Sequence, residues 1–394
     1  MRILTRYVLF ELIKVFLIAL TGMTLFMVLV GVVREAYSQG LGLKQILLLI
    51  PYILPDSLRF AVPGTVLFAT CSVYGRMAST NEVVAVKAQG ISPWTILWPT
   101  FVFAFFLSLV AVWLNDVASG WGREGAKRVV IASVEEIVYS RLAQQRSYSS
   151  RMFSINVKAV DGRKLVEPTF TFAANDDSSP ATINCEWAEL KSDLVANTLT
   201  LVCYNGTIDA GGIRFFFPDK AIERVVPLDE ASKRGGRLSP ADVPLNRISK
   251  EIEIQQQQNE AYAARMALDA GGEMIAGDFG QLTGRSWADD QMHMTNEQSR
   301  LFRLLMEPSR RWANGFSCLF FVLIGAPMAI RMRNSDFLTS FFACFCPILV
   351  VYYPLLIFGV DQAKRGSLPG WSVWMGNVIL AFSGAWLMRR VIRY

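Results

Sequence analysis

Few residues in this sequence have the types and spacing that catalysis requires. The single histidine, His293, stands in a polar stretch, and no Cys/His cluster has the spacing of metal ligands. The chain has no Gly-Lys dipeptide and therefore no P-loop for a nucleotide. The adjacent acid pairs, Glu135-Glu136 and Asp176-Asp177, would point to opposite faces of a strand. We therefore expect no catalytic residue, no metal site and no cofactor bound by this chain.

The most specific local signal lies in residues 75–93. Ser79 and Glu82 have the spacing of a capping box, Gly90 suits a left-handed C-terminal position, and Pro93 prevents continuation. The pattern predicts a short helix over about 79–90. Its middle carries Val83, Val84, Val86 and Lys87. Such a helix could dock into a groove of a partner protein, or it could lie on the lipid surface.

The composition requires elements that cross a membrane on both sides of this segment. Of the 394 residues, 52% are hydrophobic and only 18% are charged, whereas charged residues make up about a quarter of an average soluble protein. A membrane-spanning helix needs about 20 apolar residues. Six segments qualify, of which the second is interrupted by Pro55 and Pro63. They are residues 15–33, 52–74, 94–115, 312–330, 337–360 and 371–388.

The basic residues indicate how the spans are oriented. The net charge of +6 comes from Arg and Lys beside the hydrophobic runs, not from one basic stripe, so nucleic acid is not an expected partner. In the short segments that flank the spans, Arg and Lys are twice as many on the side that carries both termini as on the other side. The side with both termini is therefore predicted to be cytoplasmic. The soluble middle of the chain would then lie on the far side.

From about 136 to 228 the sequence alternates between apolar and polar side chains, which predicts an antiparallel β-domain. Turn residues such as Asp161-Gly162 and Asn205-Gly206 separate the runs. The apolar face could be a plain packed core or a groove lined for acyl chains. Its members include Phe153, Ile155, Val157, Phe170 and Phe172.

The remaining segments complete a division into four parts. Residues 1–117 form a first membrane half, 118–240 the β-domain, 241–305 a polar linker and 306–394 a second membrane half. Within the linker we expect a polar helix over 251–268 and a loop over 270–290.

Two cysteines of the β-domain could form a disulfide. If the hairpin between them centres near Leu194, Cys185 and Cys203 face each other on adjacent strands, and an oxidising compartment would allow the bond. Free buried thiols are the alternative.

Three stretches of the sequence resemble the permeases of lipopolysaccharide export, the LptF/LptG family. The first is Arg6-Tyr7 near the start. The second runs from Leu54 to Pro99 and contains Val62-Pro63, Gly75-Arg76, Glu82-Val83 and Ala88-Gln89-Gly90. The third is C-terminal, with Ile324-Gly325-Ala326-Pro327, Tyr352-Tyr353, Gly359, 363–369, Trp374 and Asn377. Residues 229–300 form a longer polar segment than the family usually carries.

The resemblance implies a permease subunit of an ABC transporter in the bacterial inner membrane, with a jellyroll-like β-domain in the periplasm. The expected partners are a paralogous permease in a heterodimer, a cytoplasmic ATPase dimer that uses the ATP, a single-span periplasmic bridge protein and a lipid of the lipopolysaccharide type. The alternative function is an envelope scaffold whose β-domain binds other proteins.

The resemblance also assigns roles to residues. Glu82 would meet the ATPase, together with the other residues of its helix, Ser79, Val83, Val86, Lys87 and Gly90. The β-domain would receive the acyl chains. Arg34, just beyond the first span, is placed to meet a lipid phosphate, although it could equally extend to the headgroups without a specific ligand.

Overall fold

The computed structural model describes most of the chain. The described residues are 2–39, 43–126, 128–129, 138–139, 142–143, 145–149, 153–172, 181–193, 198–210, 213–217, 222–227, 238–277, 280, 284–332 and 337–393. They form two compact units, which we describe separately. Unit 1 contains residues 1–28, 54–122 and 240–394, and unit 2 contains residues 29–53 and 123–239.

Nine α-helices account for most of the described residues outside the sheet. They are α1 (Arg2–Gln39), α2 (Leu43–Ser79), α3 (Glu82–Ala88), α4 (Trp94–Val117), α5 (Leu245–Ala276), α6 (Arg285–Arg331), α7 (Phe337–Pro347), α8 (Tyr353–Lys364) and α9 (Met375–Arg393). A π-helical turn, Ala118–Gly122, extends α4, and another, Ile348–Tyr352, joins α7 to α8. Short 3-10 turns, Pro240–Asp242 and Gly370–Trp374, precede α5 and α9.

Within the described ranges, six helical stretches are long and apolar enough to cross a membrane, which confirms the predicted number of spans. They are Ile3–Arg34, Ile46–Ser79, Trp94–Ala126, Arg285–Arg331, Thr339–Lys364 and Gly370–Arg393. Five of the six predicted segments lie wholly within these stretches. The predicted segment 337–360 begins two residues before the stretch Thr339–Lys364. Most of the apolar stretch of α6 and half of that of α4 are buried, whereas those of α1 and of α7 with α8 are largely exposed.

The predicted interruption of the second span is wrong, because α2 continues through Pro55 and Pro63. Proline removes one backbone hydrogen bond but is tolerated in membrane-spanning helices. Near Pro63, Thr65 Oγ1 donates to the carbonyl oxygens of Ala61 and Val62 at 2.8 and 3.1 Å, within its own helix. Near the start of the span, Arg59 pairs with Asp56 at 2.6 Å.

The helices of unit 1 approach closely where one of them carries a glycine. A Cβ atom on Gly315 of α6 would lie 2.3 Å from Val112 Cγ2 of α4, and one on Gly384 of α9 would lie 2.7 Å from Leu323 Cγ. Asn377 of α9 donates its Nδ2 hydrogen to the carbonyl of Ala313 at 2.9 Å. Small residues and inter-helix hydrogen bonds are the main means of association between helices in lipid. Thus α6 is the helix on which α4 and α9 pack.

Nine antiparallel strands form one sheet in unit 2, which confirms the predicted antiparallel β-domain. They are β1 (Ser147–Ser149), β2 (Phe153–Asn156), β3 (Ala159–Asp161), β4 (Lys164–Val166), β5 (Thr169–Phe172), β6 (Ala181–Asp193), β7 (Thr198–Ala210), β8 (Ile213–Phe217) and β9 (Ile222–Pro227). The order is β1-β2-β5-β6-β4-β3, and β7 pairs with β6, β8 and β9. The jellyroll arrangement stays a prediction.

An irregular pair in the β6–β7 hairpin shifts the alternation of side chains. The ladder skips Glu186 and Asn205, and Asn205 has a φ of 47°. Cys185 and Ala188 are consequently both buried, although a regular strand would turn them to opposite faces. Trp187, two residues after Cys185, lies outside the buried cluster, and its ring stacks on that of Tyr204 with centroids 3.7 Å apart.

The predicted loop over residues 270–290 is wrong. Helix α5 continues to Ala276, and α6 begins at Arg285 and runs without interruption into the fourth span. The two helices contact each other through polar side chains, with Gln255 and Asn259 buried between them. Gly277, at φ 72°, ends α5 in the left-handed conformation that favours glycine.

Candidate functional site

The predicted helix of residues 79–90 is present, but its N-terminus is built differently. Helix α2 continues through Ser79, and α3 begins only at Glu82, after Asn81 at φ 60°. Ser79 Oγ donates back to the carbonyl of Arg76 at 2.9 Å, so the predicted capping box is wrong. The Glu82 carboxylate instead accepts a hydrogen bond from Thr80 Oγ1 at 3.0 Å.

The predicted C-terminus of this helix is confirmed. Gly90 has a φ of 75°, and its amide donates to the carbonyl of Lys87 at 2.9 Å. The amide of Ile91 donates to the carbonyl of Val86 at 3.3 Å, which satisfies another carbonyl at the helix end. Both ends of α3 are therefore sharply defined, and the seven-residue helix is held between two fixed turns.

One side of α3 is buried and the other is exposed. Val83 is 3% exposed and lies in the same apolar cluster as Tyr74 and Met77 of α2, and Val86 packs partly against that cluster. Val84 is 44% exposed, and Glu82 is half-buried. Glu82 and Val84 are two positions apart and therefore lie on different sides of α3, on either side of the buried Val83.

Direct contacts attach this segment to three of the membrane-spanning helices. Lys87 Nζ donates to the carbonyl of Val391 in α9 at 2.9 Å. At the end of α2, Arg76 pairs with Glu11 of α1 at 3.1 Å. The buried Tyr74 hydroxyl donates to the carbonyl of Ile96 in α4 at 3.0 Å. A force applied to α3 would therefore reach α1, α4 and α9 through short contacts.

A pocket of about 670 Å³ lies beside α3, where helices α2, α6 and α9 end. Its lining residues come from all four helices: Ala78, Val83, Val84, Lys87, Ile330, Arg331, Arg390 and Val391. The pocket belongs entirely to unit 1.

Three of the five residues predicted for an acyl-chain path lie in the core of the β-domain. Ile155 and Phe170 are opposite each other in the ladder and are fully buried, and Val157 is 7% exposed. Phe153 and Phe172 are also opposite each other, but their side chains lie outside the described part of the structure. The structure therefore shows this face closed. Arg34 is an exposed residue of α1.

The register predicted for the two cysteines of the β-domain is wrong. Cys203 lies opposite Ala188, and Cys185 lies opposite Gly206. Both are free thiols, so the possible disulfide is not formed in this structure. The Cys203 thiol, in hydrogen-bonding contact, and burial together raise the pKa of Cys185 above its usual range.

A buried charge cluster in unit 1 was missed by the sequence analysis. Arg311 of α6 is 2% exposed, and its guanidinium donates to Asp116 Oδ1 of α4 at 2.7 Å and to the carbonyls of Ala241 and Val243 at 3.2 and 2.7 Å. Glu307 lies 3.7 Å from Arg311 Nε. The sequence does contain a signal for this cluster, because Asp116 and Arg311 each lie next to the end of a predicted span. A charge that is buried there requires a partner of opposite charge.

Asp116 also holds the first turn of α5. Its Oδ1 accepts a hydrogen bond from the amide of Leu245 at 2.8 Å, which satisfies a donor that has no partner within the helix. The charge cluster thus joins α4, α6, the segment 240–244 and the start of α5.

Six apolar helices, a sheet domain inserted between them and a short anchored helix define a multi-pass membrane protein of the permease class. The family model described as lipopolysaccharide export system permease LptF/LptG matches residues 6–390. The chain therefore belongs to the LptF/LptG family, and the resemblance found in the sequence is confirmed. No curated protein matches the chain.

Proposed function

We propose that this chain is one permease subunit of an ABC transporter that extracts lipopolysaccharide, or a related glycolipid, from the inner membrane. A paralogous permease forms the second half of the membrane part. A cytoplasmic ATPase dimer supplies the energy, since the sequence contains no P-loop. The lipid passes to the periplasmic β-domain and from there to a single-span bridge protein that leads to the outer membrane.

The observation that carries this proposal is the attachment of α3. This helix is fixed at both ends, buries Val83 on one side and exposes Val84 on the other. Lys87 joins it to α9 within hydrogen-bonding distance. A helix that only connected two spans would not require such attachment, whereas a helix that receives force from an ATPase requires it.

Within α3, Glu82 is the residue proposed to contact the ATPase. Its carboxylate receives one hydrogen bond, from Thr80, and a carboxylate has about four acceptor positions. The remaining positions can accept from a cationic side chain of the ATPase, and charge-assisted hydrogen bonds are about twice as strong as neutral ones.

At the opposite end of the spans, Arg34 would hold a phosphate of the transported lipid. The acyl chains of this lipid would enter the β-domain between Ile155 and Phe170. Both side chains are fully buried, so the domain must open to admit the chains. Photocrosslinking to the lipid tests this part of the proposal.

The decisive experiment is copurification of the ATPase with variants of Glu82. Glu82→Ala should reduce the copurifying ATPase by about tenfold or more, because truncation of one partner of a buried charge pair weakens an interface by about 2 kcal/mol or more. Gln89→Ala is the matched control, since Gln89 is exposed and follows α3 directly. It should leave the yield of ATPase unchanged.

Two results would contradict the proposal. If Glu82→Ala retains the full amount of ATPase and of lipid release, Glu82 does not couple the two proteins. If no nucleotide-binding subunit copurifies with the unmodified chain, while other envelope proteins bind its β-domain, the chain acts as an envelope scaffold.

A further inference from the structure

The pocket beside α3 carries an unbalanced positive charge. Among its lining residues are three cations, Lys87, Arg331 and Arg390, and no carboxylate. Within the described parts of the chain, none of these three side chains forms an ion pair. Arg76, at the end of α2, differs in this respect because it is paired with Glu11. The pocket therefore attracts an anion.

Contacts with neighbouring groups orient two of the cations. Lys87 Nζ uses one of its three hydrogens for the carbonyl of Val391, which leaves two for a ligand. The Arg390 guanidinium lies over the ring of Trp386, 4.0 Å from its centroid. Stacking of this kind engages the face of the guanidinium and leaves the N–H groups at its edge free to donate.

The rest of the pocket is apolar, and its position corresponds to a membrane surface. Val83, Val84, Ile330 and Val391 line it together with Ala78. The spans that contribute to it end at Ser79, Arg331 and Arg393, so the pocket lies at the level where the apolar stretches end. Trp386, which is 53% exposed about one turn deeper, is the type of side chain that is enriched at this level.

We propose that this pocket binds the phosphate group of an anionic glycerophospholipid. The phosphate lies among the three cations, and the glycerol and the first methylene groups lie against the valine and isoleucine side chains. The apolar lining and the level of the pocket favour a lipid over free phosphate. Because α3, α6 and α9 all contribute, the bound lipid joins α3 to the ends of two spans. The proposal does not depend on the transported lipid, but the pocket shares Val83 and Lys87 with the helix that is proposed to meet the ATPase.

Native mass spectrometry of the full chain, purified first without the ATPase, tests this site. The probes are phosphatidylglycerol and phosphatidylcholine with identical acyl chains, added to the detergent-solubilised protein. We expect phosphatidylglycerol to remain bound under conditions that remove phosphatidylcholine. Arg390→Gln should weaken binding of phosphatidylglycerol about fivefold, the usual effect of one basic residue near an anionic lipid surface.

Arg389→Gln is the matched control. Arg389 is the preceding residue, is exposed at the same end of α9, and does not line the pocket. A general attraction between a basic surface and anionic lipids would be weakened equally by both substitutions, and this result would overturn the proposal. Arg390→Lys, which retains the charge, should preserve most of the binding and shows that the loss does not come from unfolding.

Two further arms distinguish other occupants. If inorganic phosphate displaces the lipid at equal concentrations, the pocket is a site for free phosphate and the proposal is wrong. If addition of the ATPase releases the phospholipid, the pocket belongs to the protein interface, and the proposal is wrong in the assembled transporter. Retention of the phospholipid in both arms supports it.

Discussion

Arg311 is the residue whose environment is most demanding. Its guanidinium is almost completely buried, and Asp116, Glu307 and two backbone carbonyls surround it. A buried charge is tolerated only when it is paired and hydrogen-bonded, and removal of one partner leaves the others unpaired. Since the same cluster holds the first turn of α5, it fixes the point at which the chain returns to the membrane from the β-domain.

Arg311→Gln should lower the free energy of unfolding by about 3 to 5 kcal/mol, because Asp116 loses its cation and the carbonyls of Ala241 and Val243 lose their donor. The measurement is denaturant unfolding in detergent micelles. The matched control is Arg365→Gln, which removes an exposed partner of Asp361 at the C-terminal end of α8. Exposed pairs contribute about 0 to 1 kcal/mol, so the control should change little. Equal effects of the two substitutions would contradict a structural role for the buried cluster.

The conformation of a single residue could be predicted from the sequence when it depends on that residue alone, and not when it depends on distant packing. The left-handed conformation of Gly90 follows from its own lack of a Cβ atom, and the sequence predicted it. Ser79 failed as a cap because α2 remains helical through it, which depends on packing elsewhere in α2. The outward turn of Trp187 depends on the irregular pair Glu186 and Asn205, and no alternation pattern contains that information.

At the scale of elements, the hairpin of α5 and α6 has an unusual interior. Gln255 Nε2 donates to Asn259 Oδ1 at 2.9 Å and to Glu297 Oε2 at 2.7 Å, and Arg300 Nε donates to Gln255 Oε1 at 2.9 Å. Arg300 also pairs with Glu251 at 3.2 Å. Polar residues at such positions specify the register of two helices at a cost in stability.

Arg300→Met should loosen this hairpin without affecting the spans. Hydrogen bonds to charged groups contribute about 1.5 to 3 kcal/mol, so amide exchange in α5 around Gln255 should accelerate by about tenfold or more. Hydrogen exchange read by mass spectrometry checks the effect. Arg265→Met, an exposed basic residue of the same hairpin, is the control and should leave the exchange unchanged.

If exchange accelerated equally in the membrane-spanning part of α6, the hairpin and the spans would unfold as one unit, and the local interpretation would be wrong. The spans could be predicted because their hydrophobicity is continuous. The ends of this polar hairpin could not, since no change in hydrophobicity marks the residues at which α5 ends and α6 begins.

At the scale of the whole molecule, transport requires that a lipid with apolar chains leave the membrane and enter a domain whose inner face is closed. Ile155 and Phe170 are fully buried against Leu165 and Ile183. The fold class and the membrane spans could be predicted from hydrophobicity and alternation. Whether this face opens could not be predicted, because a packed core and an acyl-chain path require the same apolar residues.

The path predicts that lipid contacts Phe170 only while ATP is being used. A photoreactive phenylalanine analogue at position 170, in the assembled transporter, should capture glycolipid when ATP is added and much less without it. The same analogue at the adjacent exposed position 33, which leaves Arg34 in place, should capture the lipid without ATP, because both residues are exposed on α1. Position 187 is the control, since Trp187 stacks on Tyr204 outside the buried cluster and should capture no lipid. The larger side chain of the analogue in a closed core lowers stability by about 1 to 3 kcal/mol, so folding of the variant is checked first. If the folded variant with the analogue at position 170 crosslinks only to protein, the face is a permanent core and is not part of the lipid path.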